Sequence, residues 1–389
     1  MVKDMLRWFN PAYISAGLVA VLVGYTSSAA IIFQALQTLG APRAMADSWF
    51  LVLGLGMGIT CIGLSIYYQQ PILTAWSTPG AAIMVTGLAD MSIGAAVGAF
   101  LFSSALLVIV GISGLFTRLV SIIPPPIAAA LLAGVLIPFA LQGLASLNTD
   151  LVLGLSMLIS FFVSQLWWPR YSVLVTLTMG LMVAVQQNPH LFQTIHLHTA
   201  SPLWVTPEFN LAAIISLGVP LFIVTMASQN LPGIAALRTA NYQAPASPLV
   251  GWTGFTGLVT APFGGFAYNL AAITATICMT EEVDKDPKQR FRASVWAGLF
   301  YILTGLFATS ITSLFFAVPK TLVLMLAGLA LMGTIANSLQ AALAAPEQRL
   351  AAAVTFTTTA SGVVIAGIGS AFWGLIFGLL LNIILKYKR

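Results

Sequence analysis

Two short polar clusters interrupt apolar stretches of this sequence. The first lies in VGYTSSAAII (23–32) and consists of Tyr25, Thr26, Ser27 and Ser28; the second lies in VTMASQNLPGI (224–234) and consists of Ser228, Gln229 and Asn230. Hydroxyl and amide groups in apolar surroundings must form hydrogen bonds with the protein or with a ligand. Hydrogen bonding between helices explains the first cluster as well as a ligand does. The amide side chains of the second cluster precede Pro232-Gly233, where a helix break is expected, and favour ligand binding.

Two further segments contain residues that interrupt helices. They read PILTAWSTPGAAIMVTGL (71–88) and TAPFGGFAYNLAAITATI (260–277). Each is predicted to enter extended and then to form a short helix, at Pro79-Gly80 in the first and around Gly264-Gly265 to Tyr268-Asn269 in the second. The first amides of a helix lack intrahelical partners and carry the positive end of its dipole. Two such helix ends facing each other form a site for an anion or polar ligand without a charged side chain.

The composition indicates which elements hold these groups. Of the 389 residues, 59% are hydrophobic and 6% are charged, and the mean hydropathy is +0.97. These values exclude a water-soluble globular protein, a disordered chain and a disulfide scaffold. We therefore predict an all-α polytopic membrane protein with about fourteen spans and no cleavable signal peptide. The predicted spans are 11–36, 48–67, 71–89, 92–116, 119–142, 151–167, 172–187, 210–237, 248–262, 263–280, 293–315, 321–341, 351–367 and 369–385.

The basic residues predict the orientation of these spans. With the amino terminus inside, thirteen of the fifteen Lys and Arg residues fall in cytoplasmic segments, and Arg43 and Lys320 fall outside. Both termini are thus expected in the cytoplasm, and the net charge of +5 requires no nucleic-acid partner. A periplasmic linker at 188–209 separates seven spans in 11–187 from seven in 210–388. Because seven is odd, the halves are predicted to be inverted repeats with a binding site at the midplane.

The remaining reactive residue types indicate neither an enzyme nor a metal protein. Cys61 and Cys278 lie in apolar segments and are interpreted as core side chains. The segment EEVDKDPKQRFR (281–292) is predicted to be a solvated inner loop. No catalytic residue, metal or cofactor is expected. The histidines, which have no carboxylate or cysteine close by, are interpreted as residues of the polar linker: His190, His196 and His198.

Longer motifs resemble one family over nearly the whole chain, the benzoate:proton symporters (BenE type) of bacterial inner membranes. The similar segments are GYTSSAAIIFQA, LTAWSTPGAA, LFIVTMASQNLPGIAALR, ASPLVGWTG, AAITATIC and ASGVVIAGIGSAFWGLIFG. That family is similar in architecture to uracil and xanthine permeases and to sulfate-type anion transporters. The resemblance implies fourteen spans in two inverted repeats, short strands before the half-helices of spans 3 and 10, and proton symport. It also implies a core domain (11–116 with 210–315) and a gate domain (119–187 with 321–385).

An aromatic carboxylate such as benzoate is the expected substrate. Nucleobase permeases of this architecture place acidic residues on spans 8 and 10, where this chain has the neutral residues Gln229, Asn230, Tyr268 and Asn269, which favour an organic anion. The carboxylate is predicted to lie near Ser77, Thr78, Gly80, Tyr268 and Asn269. The ring is predicted to lie among Tyr25, Trp76 and Phe266. The polar clusters complete the predicted substrate site with Ser27, Ser28, Ser228, Gln229 and Asn230.

The proton carrier and the exact function stay open. No carboxylate or histidine lies within a predicted span, so the candidate proton carriers are Asp47, Asp90 and the substrate carboxylate. The alternative functions are a nucleobase or inorganic-anion carrier of the same architecture and a passive channel for weak acids. A channel matches less well because the polar residues form clusters rather than a continuous stripe. Relatives with this architecture often dimerise, so a homodimer in the lipid bilayer is expected by analogy.

Overall fold

The computed structural model describes residues 8–87, 91–116, 124–191, 198–366 and 368–387, and this part of the chain is mostly helical. Helices and strands are numbered in chain order. The main elements are α1 (Pro11–Thr38), α2 (Arg43–Tyr68), β1 (Thr74–Trp76), α3 (Thr78–Gly87), α4 (Ile93–Ser113), α5 (Pro125–Ala145), α6 (Leu151–Trp167), α7 (Ser172–Gln187), α8 (Leu211–Thr239), α9 (Ala246–Thr260), β2 (Tyr268–Leu270), α10 (Ile273–Cys278), α11 (Phe291–Leu306), α12 (Ala308–Ala317), α13 (Lys320–Ala342), α14 (Arg349–Ala360) and α15 (Ser370–Tyr387).

Six of the described helices are long and apolar enough to cross a membrane, namely α1, α2, α4, α5, α8 and α13. Helices α11 and α12 would make a seventh span if taken together, although they are bent by 63° where they meet. Helices α6, α7 and α15 are shorter and also apolar. The prediction of an all-α polytopic membrane protein is confirmed at this level.

Polar side chains mark the start of several helices. Ser92, Asp150 and Asn210 occupy the N-cap positions of α4, α6 and α8, where each accepts hydrogen bonds from first-turn amides. These amides have no intrahelical partner, so a cap stabilises the helix end by about 1 kcal/mol. At its other end, α4 stops at Gly114, whose φ of 70° is a conformation that glycine adopts easily.

The helices pack in two groups. In one group α2 and α1 pack on α11, and α4 packs on α9. In the other, α5 packs on α13 and α14, α14 on α15, and α6 on α7. Close approach of α2 and α11 requires glycine, because a Cβ on Gly54 would lie 2.6 Å from the Cα of Gly305. Small residues at such crossings are typical of helix pairs in membranes.

The two interrupted segments contain the two described strands. Thr74, Ala75 and Trp76 of β1 pair antiparallel with Leu270, Asn269 and Tyr268 of β2. We name 71–89 the first broken segment and 263–280 the second broken segment. A strand followed by a short helix is confirmed in both of them.

The start of the second short helix differs from the prediction. The helix begins at Ile273 rather than around Gly264-Gly265 to Tyr268-Asn269. Gly264 (φ 98°) instead closes a turn, and Ala267 (φ 36°) also has a left-handed conformation, after which the chain forms β2. The glycines therefore serve the turn before the strand, not the start of the helix.

Helix α8 is not regular. It contains π-helical turns at Ile214–Gly218 and Thr225–Asn230. The second of these turns contains the whole polar cluster Ser228-Gln229-Asn230. Single π turns inside α-helices are frequent at functional sites.

The segment 281–292 is more ordered than the predicted solvated loop. Arg290 is 7% exposed and donates hydrogen bonds to the carbonyl oxygens of Met279 and Asp284, both at 2.7 Å. Tyr13 of α1 donates a hydrogen bond to the carboxylate of Asp284. The Lys288 amide donates to the exposed carboxyl of Asp286 and lowers its pKa below the usual value. The prediction missed the inward-facing Arg290 because charge alone suggested solvation.

Candidate functional site

A cavity of about 870 Å³ lies beside the β1–β2 ribbon. Its walls come from α1, α3, α8, α10 and α11 on the side of the ribbon and from α5, α6, α7 and α13 opposite. The volume falls in the range of about 300–1,000 Å³ that is typical of small-molecule sites. The lining includes Pro125, Pro169, Thr280 and Ala341. These residues lie at or near the ends of helices, and the adjoining stretches of sequence contain Arg118, Arg170, Arg349 and the basic residues of 281–292.

Five of the thirteen predicted site residues line this cavity: Ser28, Trp76, Thr78, Ser228 and Gln229. The strand β1 and the first turn of α3 place Trp76 and Thr78 at its wall. The π turn of α8 places Ser228 and Gln229 there. None of the described residues that line the cavity is charged.

The indole of Trp76 is held in an aromatic group. Its Nε1 donates a hydrogen bond of 2.6 Å to the hydroxyl oxygen of Ser28, which in turn donates to the carbonyl of Gly24. The ring centroid of Tyr25 lies 4.7 Å from that of Trp76 in an edge-to-face arrangement, and Phe50 lies 6.1 Å away. Tyr25 thus packs against the indole of Trp76 and does not itself line the cavity. Such contacts fix the indole in one orientation.

Ser77 and Gly80 lie under the cavity wall rather than on it. Ser77 is fully buried, and its hydroxyl oxygen accepts a hydrogen bond of 3.0 Å from the amide of Gly80. Ser77 therefore acts as the N-cap of α3. A Cβ on Gly80 would lie 2.5 Å from the side chain of Leu221, so Gly80 permits close packing of α8 on α3. The side chain of Ser27 lies outside the described residues.

The remaining predicted site residues are fully buried around β2. Asn230 accepts a hydrogen bond of 2.9 Å from the amide of Leu270 and so holds the outer edge of the strand. Tyr268 donates to the carbonyl of Val52 at 2.8 Å. Phe266 packs on Trp49 and Phe100. Asn269 donates to the carbonyl of Ala267, while its Oδ1 has no described partner. None of these four residues lines the cavity.

Some polar side chains at the cavity form hydrogen bonds within the protein, and others do not and can therefore bind a ligand. Thr26 donates to the carbonyl of Leu22, so its hydroxyl is used within α1. In contrast, eight cavity residues have side-chain polar groups that form no hydrogen bond with a described residue: Thr78, Ser228, Gln229, Thr274, Tyr301, Thr334, Asn337 and Ser338. Because polar groups beside an apolar wall need partners, these eight are the candidates for substrate contact.

Sequence reasoning missed the α13 residues Thr334, Asn337 and Ser338, and it also missed Thr274 and Tyr301. Thr274 lies in the first turn of α10, and Tyr301 lies on α11 within the apolar stretch AGLFYILTGL. An isolated hydroxyl in an apolar helix was the available signal, but it also occurs in ordinary helix packing. Their position at the cavity depends on how α10 and α11 pack against α1.

Other residues singled out by the sequence lie away from the cavity. Asp47 accepts a hydrogen bond from Thr312 and does not line the cavity. Cys61 and Cys278 are buried and are not joined in a disulfide, and the described part of the chain contains no group of three or more metal-ligating side chains. His190 and His198 are exposed. Asp90 and His196 lie outside the described residues.

The paired strands, the short helices that follow them and the uncharged cavity beside them define a membrane transport protein, and comparison with known proteins agrees. The profile of the benzoate membrane transport protein family (BenE) matches residues 7–384. The chain belongs to this family. It is 46% identical over 390 aligned positions to the inner membrane protein YdcO of Escherichia coli (strain K12), with 99% of this chain and 100% of the relative covered. It is 37% identical to the benzoate membrane transport protein of Acinetobacter baylyi (strain ATCC 33305 / BD413 / ADP1), with 99% and 98% covered.

A solved structure is similar in fold. The transmembrane domain of the cyanobacterial bicarbonate transporter BicA superposes with a TM-score of 0.54 at 14% identity and covers 96% of both chains. At this identity the likeness concerns the fold alone. It agrees with the expected anion-transporter architecture, and the family membership expected from the motifs is confirmed.

Proposed function

We propose that this protein is a secondary transporter of the bacterial inner membrane that imports an aromatic carboxylate such as benzoate together with a proton. The observation that carries this proposal is the cavity beside Trp76, where an aromatic ring and several unpaired neutral hydrogen-bonding groups line one uncharged space. An acidic side chain there would repel a carboxylate, whereas hydroxyl and amide donors attract one. The names of the two relatives support the location and the substrate class.

In the proposed complex the ring lies against Trp76, and the carboxylate accepts hydrogen bonds from Thr78, Ser228 and Gln229. Hydrogen bonds to a charged group contribute about 1.5–3 kcal/mol each, and burial of a ring contributes a few kcal/mol at roughly 25 cal/mol per Å². The loss of freedom on binding offsets a large part of this total. The sum suits micromolar or weaker binding, which allows release on the other side.

The proposed transport cycle moves two domains against each other. We assign 11–116 with 210–315 to a core and 119–187 with 321–385 to a gate, within fourteen spans arranged as inverted repeats. The cavity lies between these two groups of helices. The lining residues Pro125, Pro169, Thr280 and Ala341 lie close in sequence to the basic residues that the positive-inside rule assigns to the cytoplasm. On this basis we assign the described conformation to an inward-open state of an alternating-access cycle.

We assign the coupling proton to the substrate carboxylate itself. Of the candidate carriers, Asp47 is away from the cavity and bound to Thr312. The described cavity wall contains no carboxylate and no histidine. The substrate thus brings the one group in the cavity that takes up a proton readily in mildly acidic solution.

Uptake into proteoliposomes tests the proposal. With labelled benzoate and a more acidic outside solution, we expect saturable accumulation above that of protein-free vesicles, inhibited by unlabelled benzoate but not by uracil or sulfate. Gln229→Ala should weaken benzoate binding roughly tenfold or more, because one hydrogen bond to a charged group is lost. Gln186→Ala, which changes an exposed glutamine at the end of α7, is the matched control and should leave binding unchanged.

Three results would contradict parts of this proposal. Competition by uracil or sulfate with no effect of benzoate would indicate a nucleobase or inorganic-anion carrier. Flux that neither saturates nor accumulates substrate would indicate a channel. Accumulation that is independent of the pH gradient would refute proton symport alone.

A further inference from the structure

Tyr301 is a buried tyrosine whose hydroxyl reaches the cavity. Its side chain is 2% exposed, and it lines the cavity although it lies on α11, behind the wall formed by α1 and α10. Burial of the ring among helices fixes where the hydroxyl can lie. This residue was not among those predicted from the two polar clusters or the two broken segments.

The hydroxyl of Tyr301 occupies a niche between α1 and α10. A Cβ added to Gly24 would lie 3.0 Å from the Tyr301 hydroxyl oxygen and 3.6 Å from the methyl group of Thr274. Gly24 and Thr274 both line the cavity as well. The absence of a side chain at Gly24 thus leaves space for both the Tyr301 phenol and the Thr274 side chain.

This hydroxyl donates no hydrogen bond to any described residue. The contrast with Tyr268 is informative, because the equally buried hydroxyl of Tyr268 donates to the carbonyl of Val52. A hydroxyl in such apolar surroundings is destabilising when it has no hydrogen-bond partner. Because the Tyr301 side chain borders the cavity, a ligand there can supply the missing acceptor.

We propose that Tyr301 binds the carboxylate of the substrate through its hydroxyl and thereby selects anionic over neutral aromatic compounds; this inference rests on the proposed function. A phenol donating to a carboxylate forms a short charge-assisted hydrogen bond of about 2.5–2.7 Å. Thr274 lines the same cavity and can offer a second hydroxyl donor to the same group. A neutral ring compound of the same shape accepts a weaker hydrogen bond, so the tyrosine favours the acid.

The test is the binding of benzoate and benzamide to the purified full-length protein. Tyr301→Phe removes the hydroxyl and keeps the ring, so benzoate affinity should fall roughly tenfold to a hundredfold while benzamide affinity changes much less. Gly24→Ala should also weaken benzoate binding, because the added methyl group crowds the retained hydroxyl. Tyr67→Phe is the control, because Tyr67 is 79% exposed, and it should bind both compounds as the wild type does.

The outcomes separate this inference from the proposed function. Unchanged benzoate affinity in a folded Tyr301→Phe protein, with wild-type binding intact, would overturn the role of Tyr301 and leave the transporter proposal standing. An equal loss for benzoate and benzamide would overturn the selection of anions and indicate a packing role. Absence of benzoate binding in the wild type would refute both. Thermal unfolding of each variant shows whether it is folded.

Discussion

The two broken segments are built alike, each from a three-residue strand and a short helix, but different parts of the chain hold them. In the first, Ser65 donates to the carbonyl of Ile72 and Thr74 donates to that of Met57, across 7 and 17 residues of sequence. In the second, the amide of Leu270 donates to Asn230 across 40 residues, and Tyr268 donates to Val52 across 216.

The ends of the two short helices differ in the same way. Helix α3 has ten residues and is capped by Ser77, which directly precedes it. Helix α10 has six residues and no side-chain cap, and its last carbonyls depend on Arg290, which donates to Met279. Besides its longer bond from Trp76 to Ser28, the first broken segment thus has a local cap and local strand contacts, whereas the strand of the second is held by Asn230 and Val52, which are far away in the sequence. Similar sequence patterns in two halves of a chain thus do not imply equivalent energetics.

The largest loss of stability is expected from a substitution at Gly264, in the second broken segment. Gly264→Ala should lower the free energy of unfolding by about 2–5 kcal/mol, because a left-handed conformation costs a side-chain residue about 1–2 kcal/mol and overpacking adds about 1–3. The new Cβ would lie 1.8 Å from Cδ1 of Trp49 on α2. Thermal unfolding in detergent measures the loss. Gly63→Ala serves as the control, because a Cβ added to Gly63 would meet no neighbouring group within 4 Å.

A smaller effect is expected at the long-range hydrogen bond of β2. Asn230→Leu keeps a similar volume but leaves the buried amide of Leu270 without its acceptor, which costs about 1–3 kcal/mol. The midpoint of thermal unfolding should fall accordingly. A variant as stable as the wild type would mean that the strand edge does not need Asn230.

The smallest effect is expected at the local cap of the first segment. Ser77→Ala removes the side-chain acceptor of the Gly80 amide and should cost about 1 kcal/mol. The same unfolding measurement sharpens the comparison, since the loss should be smaller than that of Asn230→Leu. A larger loss in Ser77→Ala would reverse the assignment of local and distant support.

Sequence reasoning located both broken segments because proline and glycine limit or free the backbone directly. Pro79-Gly80 correctly indicated the start of α3, within one residue of Thr78. Gly264-Gly265 indicated a break correctly but not which element follows, because glycine suits a turn as well as a helix start. The same local logic placed Trp76, Thr78, Ser228 and Gln229 at one cavity.

The other parts of the site depend on contacts that a single sequence does not display. Tyr301 and Thr274 reach the cavity through the packing of α10 and α11 on α1. Asn230 follows two cavity residues in the chain, yet it faces the edge of a strand. Arg290 is drawn inward by the open carbonyls at the end of α10, although its neighbours in sequence are charged.

The π turn at Thr225–Asn230 changes the directions in which the later side chains of α8 point. A wide turn of this kind holds one residue more than the regular α-helix. If one residue were removed from the π turn, the part of α8 after it would rotate by about 100° about the helix axis relative to the part before it. Asn230 and the residues after it would then point in new directions although every remaining amino acid was unchanged. At this point the number of residues, as much as their identity, sets which side chain meets the strand and which lines the cavity.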